Sequence, residues 1–156
     1  MNISLLKSEL TRDEGLRLSA YKDTYGHLTI GVGRNLDGNP LSDDEIAVVG
    51  HDCRTCSITQ EQAIYLLGHD IARVTVQLDR VLPWWTTLDD VRRRVLINMA
   101  FNMGTRNLVG FRRFLSALNK AQYAAAASEM LQSLWASQVG KRADRLATMM
   151  RTGSTV

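Results

Sequence analysis

Residues 12–34 read RDEGLRLSAYKDTYGHLTIGVGR, and three side chains within them could share one reaction. Glu14 and Asp23 have eight residues between them, and Thr29 follows after five more. Glu14 closes a short helical pattern just before Gly15, a position that disfavours negative charge because it faces the negative end of the helix dipole. A carboxyl that keeps its proton is what a general acid needs. Asp23 lies in the turn-like YKDTYGH, and Thr29 begins TIGVG. Together the three suit acid-assisted attack by water: one carboxyl protonates a leaving oxygen, while the other, helped by the hydroxyl, holds and deprotonates the water. Taken singly, each has a plainer reading. Glu14 could be an exposed acid paired with Arg12 or Arg17, Asp23 a turn residue bonded to nearby backbone, and Thr29 an ordinary strand residue. His27, between Asp23 and Thr29, either tunes their charge or sits on a hairpin surface.

The elements that must position these groups follow from periodicity. Ile3, Leu5, Leu6 and Leu10 predict a helix over 3–14 that ends at Gly15. Leu28, Ile30 and Val32 alternate with Thr29, Gly31 and Gly33, so 17–34 reads as a small antiparallel hairpin or three-stranded meander. A helix near 43–50 should start at Ser42 with Glu45 completing a capping box. Thr59 and Gln62 form the same signature ahead of a long amphipathic helix that Pro83 stops. Residues 88–103 are apolar around most of the circumference and predict a buried central helix, followed by helices near 108–119, 122–135 and 142–151. The expected fold is α+β and mainly helical. It is one catalytic domain over 1–156, with a β-containing lobe at about 13–58 and a connecting helix at about 59–82. A helical lobe at about 83–156 would carry 1–12 packed on it, and two lobes imply a cleft.

The 156 residues suit one compact unit or two small lobes. No apolar run reaches the length of a signal-peptide core or a membrane span, which predicts a soluble protein made in the cytoplasm. The net charge of +3 is mild. Arginines cluster at 92–94, 112–113 and 141–145, either as solvated helix faces or as attraction to an anionic polymer, nucleic acid or cell wall. Cys53 and Cys56 form a lone CRTC with His51 and His69 nearby; incidental thiols, a local disulfide and a metal site all remain open.

DEGLRLSAYKDTYGHLTIGVGR resembles the active-site segment of the phage-type lysozymes, whose pattern E-x8-D-x5-T is met by Glu14, Asp23 and Thr29. The likeness continues through ITQEQAIYLLGHDIARV, LDDVRRRVLINMAFNMG, GFRRFLSAL and MMRTG, nearly the whole chain. The resemblance implies a lysozyme-like two-lobe fold with a small antiparallel sheet. It implies a muramidase that cleaves the β-1,4 bond between N-acetylmuramic acid and N-acetylglucosamine with inversion, using no cofactor and no metal. Glu14 would be the general acid, and Asp23 and Thr29 would position water. Phe101 and Asn102 match positions lining the far wall of the cleft, unless they are a core aromatic and a capping amide. Arg142 matches an arginine that reaches the catalytic Glu, unless it is a solvated helix charge.

Several positions depart from the family pattern. Where the family often carries a histidine after IGVG, this chain has Arg34, and Asp70 matches its acidic partner, so an Arg34–Asp70 pair is expected. Asn35 is the nearest match to a substrate contact of the first lobe. Phe114 and Glu129 replace contacts of the second lobe, so glycan subsites there should differ. The implied setting is a monomeric phage endolysin acting on peptidoglycan. It would be synthesised in the host cytoplasm, would reach the periplasm after a holin permeabilises the membrane, and would not insert stably into the membrane or bind nucleic acid. A non-catalytic cationic binder of glycan or nucleic acid, or a lytic transglycosylase that forms a 1,6-anhydro product, are the competing readings.

Overall fold

A computed structural model describes residues 1–156. The chain forms two compact units, Ile3–Arg73 and Val74–Val156 with Met1–Asn2. This division falls inside the long helix and groups residues 3–12 with the sheet, whereas the sequence pattern grouped 1–12 with the helical half.

In the first unit, α1 (Ile3–Glu14) ends at Gly15, whose φ of +80° is the left-handed value that stops a helix. Strands β1 (Arg17–Lys22), β2 (Leu28–Gly31) and β3 (Arg34–Asn35) form an antiparallel sheet in that order. Thr29 stands opposite Tyr21 on one side and Asn35 on the other, and the β1–β2 register is irregular between Arg17 and Tyr21. Helix α2 (Asp43–Val49) carries the expected capping box: Ser42 Oγ accepts from the Glu45 amide and Glu45 Oε2 from the Ser42 amide. Helix α3 (Gln60–Val81) starts with the Thr59–Gln62 box, whose two bonds measure 2.9 and 3.1 Å. Ile30, Leu36, Val49, Ile58, Ala63 and Leu66 pack into the core between sheet and helices.

The second unit takes in the end of α3 and a 3-10 turn at Pro83–Thr87. It contains α4 (Asp90–Met103), α5 (Thr105–Val109), α6 (Arg112–Asn119), α7 (Tyr123–Leu131), α8 (Leu134–Val139) and α9 (Lys141–Thr152). Helix α7 packs on α6 and α9. The expected helix at 122–135 is two helices, because the Ser133 hydroxyl donates to the Met130 carbonyl, ending α7, and accepts from the Ala136 amide, starting α8. The additional helix α5 is separated from α6 by Gly110 and Phe111.

The arginine cluster at 92–94 is not a solvated face. Arg92 and Arg94 are buried in α4. Arg92 donates to the Met150 and Arg151 carbonyls at 2.8 and 3.2 Å, pairs with Asp89, and lies 3.4 Å from the centre of the Tyr123 ring. Arg94 joins Asp90 to Thr155. These side chains tie α4 to the end of the chain, and their charges are consumed internally. Cys53 and Cys56 are both free thiols, Cys53 buried and Cys56 exposed, and burial pushes the Cys53 thiol up.

Candidate active site

Glu14 is half-buried at the last position of α1. Against it lies the turn Gly31–Val32–Gly33, in which both glycines have φ near +65° (+65° and +68°). A Cβ added at Gly33 would stand 3.2 Å from Glu14 Oε2 and 3.4 Å from its Cβ and Cγ. Bare backbone at residue 33 therefore forms one wall of the Glu14 carboxyl; the dihedral angle favours glycine there, and a larger residue would press on the carboxyl.

Asp23 is held by its own turn. Its Oδ1 accepts the Tyr25 and His27 backbone N–H groups, both at 2.9 Å, and Oδ2 lies 3.5 Å from His27 Nδ1. The Asp23 amide donates to the His27 carbonyl and the Gly26 amide to the Asp23 carbonyl, closing the loop. Burial acts to raise this carboxyl, but the two backbone N–H groups and His27 outweigh it and hold the pKa below the usual aspartate value. Asp23 is thus an ionised, oriented carboxylate, and His27 is its half-exposed partner. Thr29 is almost completely buried, and its hydroxyl donates to the His27 carbonyl at 3.2 Å.

Tyr21 was not singled out by the sequence pattern, and it neighbours these groups. It stands opposite Thr29 in the sheet with the Arg17 guanidinium 5.0 Å from its ring centre. Burial pushes its phenol up, Arg17 pulls it down, and both Glu14 and Asp23 push it further up. The phenol therefore sits within the field of both acids. The available signal was positional: a tyrosine two residues before the turn aspartate, on the strand that must pair with TIGVG.

Arg34 and Asp70 are joined at 2.8 Å, both buried. The structure adds a second acid that sequence reading assigned only to capping. Glu45 takes Arg34 on both oxygens, at 3.2 and 2.7 Å, and also the His69 ring at 3.0 Å. For Glu45 the cost of burial is outweighed by Arg34, the Ser42 amide and His69, so its pKa is lowered. For Asp70 burial prevails over Arg34 and Arg73, and its pKa is raised. Asn35 Oδ1 accepts the Asp37 and Gly38 amides at 2.9 and 2.8 Å, so its carbonyl oxygen shapes the loop after β3.

The remaining predicted residues lie in the second unit. Phe114 and Glu129 line a groove of about 780 Å³ with Phe111, Trp135 and Arg113. Phe111 meets Phe114 and Trp135 edge to face, and Arg113 Nε stands 3.4 Å from Glu129 Oε1. Asn102 accepts the Trp135 indole N–H at 2.9 Å, and Phe101 is half-buried beside it in α4. Arg142 is buried rather than solvated, donating to the Asn98 side-chain oxygen at 2.9 Å and to its carbonyl at 3.3 Å. No group of three or more His, Cys, Asp or Glu is placed to hold a metal ion.

The family model for phage lysozyme matches residues 11–151, a span that contains every one of these positions. The chain belongs to the phage lysozyme family. It is 30% identical to probable T4-type lysozyme 1 of Dictyostelium discoideum over 97% of this chain and 96% of that protein. It is 32% identical to the endolysin of Salmonella phage P22, covering 92% and 88% of the two chains. It is also 33% identical to the pre-baseplate central spike protein Gp5 of Enterobacteria phage T4, over 93% of this chain but 27% of that one.

Proposed function

We propose that this chain is an endolysin-type muramidase that hydrolyses the β-1,4 bond between N-acetylmuramic acid and N-acetylglucosamine in peptidoglycan. Membership in the phage lysozyme family supports glycoside hydrolysis. The observation that supports the residue assignment is local: the bare Gly33 backbone stands against Glu14 Oε2, and Asp23 Oδ1 is held by the Tyr25 and His27 amides in the turn that leads into Thr29.

In this reading Glu14 donates its proton to the glycosidic oxygen as the bond to the muramic acid C1 breaks. Positive charge develops on C1 and the ring oxygen, and the Asp23 carboxylate stabilises it. A water held between Asp23 and the Thr29 hydroxyl attacks C1 from the opposite face and passes a proton to Asp23. The new reducing end has inverted configuration. The two N–H donors on Asp23 Oδ1 keep that carboxylate ionised and aimed, and the Gly33 backbone limits the freedom of the Glu14 carboxyl. Asn35, Phe101, Asn102 and Glu129 are assigned to sugar contacts, and Arg142, Arg34 and Asp70 to support; Phe114, expected at a subsite, is buried and packs behind the groove surface instead.

The cellular role follows from the substrate. No helix is long and apolar enough to cross a membrane, and we assign synthesis to the host cytoplasm and action to the periplasm, after a holin opens the membrane. The test is clearing of outer-membrane-stripped Gram-negative cells by the wild type and by Glu14→Gln. Clearing by the wild type alone supports hydrolysis through Glu14; equal clearing by both leaves only cationic disruption.

A further inference from the structure

Arg34 has every N–H of its guanidinium bonded, and it directly follows the glycine that walls Glu14. Its five N–H donors meet five acceptors: the Asn39 carbonyl (2.8 Å), the Pro40 carbonyl (3.2 Å), Glu45 Oε1 (3.2 Å), Glu45 Oε2 (2.7 Å) and Asp70 Oδ1 (2.8 Å). Glu45 in turn accepts four bonds, two from Arg34, one from the Ser42 amide and one from His69. Asp70 is steadied by Asn39 Nδ2 at 3.1 Å and Arg73 Nη2 at 3.0 Å.

One guanidinium therefore fastens β3 to the loop after it, to the first turn of α2 and to α3. The β2–β3 connection turns on two positive-φ glycines, Gly31 at the end of β2 and Gly33 within the connection, and has no side chain at Gly33 that could fix it. Its position is set from its ends, and the Arg34 end is the one locked by two-point ionic geometry. The same turn presents the Gly33 backbone to the Glu14 carboxyl.

We propose that the Arg34–Glu45 fork is a positioning device for the hydrolysis, holding the Gly33 backbone against Glu14 so that the acid keeps its aim. Glu45 touches neither substrate nor the acid; it acts through Arg34 and the turn. The inference rests on the reading of Glu14 as general acid, and Glu14→Gln tests that reading separately. A loss of anchoring lets the wall move by some fraction of an ångström, and a misplacement of about 1 Å in a catalytic group lowers rate on the order of a hundredfold.

The experiment compares Glu45→Gln and Arg34→Lys with Met130→Ala, a cavity in the core of the second unit that lowers stability without touching this turn. Rates on purified peptidoglycan are measured well below each melting temperature. Glu45→Gln and Arg34→Lys should each lower kcat about tenfold with KM within about twofold, and the double variant should be no slower than the slower single one. Met130→Ala should keep kcat. As a reading independent of turnover, the ¹³C resonance of the Glu14 carboxyl should move in Glu45→Gln and stay in place in Met130→Ala. If both fork variants melt earlier but keep wild-type kcat, or if the Glu14 resonance does not move, the fork only stabilises the fold and the proposal is overturned. If Glu14→Gln is as active as wild type, the assignment of the acid fails first.

Discussion

Replacing Gly33 by alanine separates backbone strain from catalytic geometry. Gly33 has φ +68° and Gly50 has φ +94°, so alanine at either position must adopt a left-handed conformation that L-residues disfavour by about 1–2 kcal/mol. In a domain of this size each variant should melt about 2–4 °C lower per kcal/mol. Their surroundings differ. Nothing lies within 4 Å of a Cβ at Gly50, whereas a Cβ at Gly33 meets Glu14 Oε2 at 3.2 Å and two more Glu14 atoms at 3.4 Å. The 3.2 Å contact is tighter than a relaxed carbon–oxygen approach, and the two 3.4 Å contacts leave no slack behind it, so the Glu14 carboxyl must withdraw by a few tenths of an ångström. Taking about a hundredfold in rate per ångström of misplacement, a shift of about 0.3 Å makes Gly33→Ala lose roughly fourfold in kcat. Gly50→Ala should stay within about twofold of wild type, because its strain is remote from the acid. The assay is initial rate on purified peptidoglycan at saturating substrate, with melting followed by circular dichroism. Equal kcat in the two variants, at similar losses of melting temperature, would refute the claim that the Gly33 wall sets the Glu14 position.

Asp23→Asn keeps an oxygen that can accept the Tyr25 and His27 N–H groups but removes the charge; kcat should fall about 10²–10⁴-fold with the melting curve nearly unchanged, and a normal rate would remove its assigned role. Asp70→Asn leaves Arg34 paired with Glu45 but weakens three bonds to Asp70 Oδ1; relief of the buried charge, whose pKa is raised, offsets part of that loss, so stability should drop by about 1 kcal/mol, read as a few degrees of melting temperature, and an unchanged melting temperature would contradict a stabilising Arg34–Asp70 pair. Asp89 caps α4 and pairs with Arg92, and although burial acts to raise its pKa, the Arg92 amide and guanidinium outweigh it and the folded value is lowered. A lowered folded pKa gives stability that is present above about pH 3.9 and lost as pH falls through the folded value. Asp89→Ala should therefore melt earlier than wild type by a constant margin from pH 5 to pH 8, roughly the 1 kcal/mol of a lost cap, and the gap should close in stronger acid; a margin that widens in acid would reverse the assignment.

The local elements were largely legible because their signals are local. Ser42 with Glu45 and Thr59 with Gln62 announce helix starts, and both boxes are formed. The alternation of LTIGVG yields β2 with Ile30 inside. What escaped the sequence depends on partners far along the chain. RRR at 92–94 has the composition of a solvated face, yet Arg92 bonds to carbonyls 58 and 59 residues away. Glu45 was readable as the third residue of a capping box, but its grip on Arg34 arises only once β3 and α2 are brought together. The break at Ser133 required knowing that its hydroxyl would bond backward and forward at once. In the candidate site, type and spacing marked Glu14, Asp23 and Thr29 as three groups that suit one reaction, each with a plainer reading, and the resemblance to the phage-type lysozymes gave them their proposed roles. The placing of Tyr21 opposite Thr29 was not legible, because it comes from strand register.

The most direct measurement of the central claim is the structure of the products released from purified peptidoglycan, by mass spectrometry and by proton NMR of the fresh reducing ends. Hydrolysis driven by Glu14 and Asp23 predicts fully hydrated muramic acid ends appearing first as the α-anomer, and their disappearance in Glu14→Gln. Products lighter by one water, a β-anomer as the first product, or the same products from Glu14→Gln would contradict it.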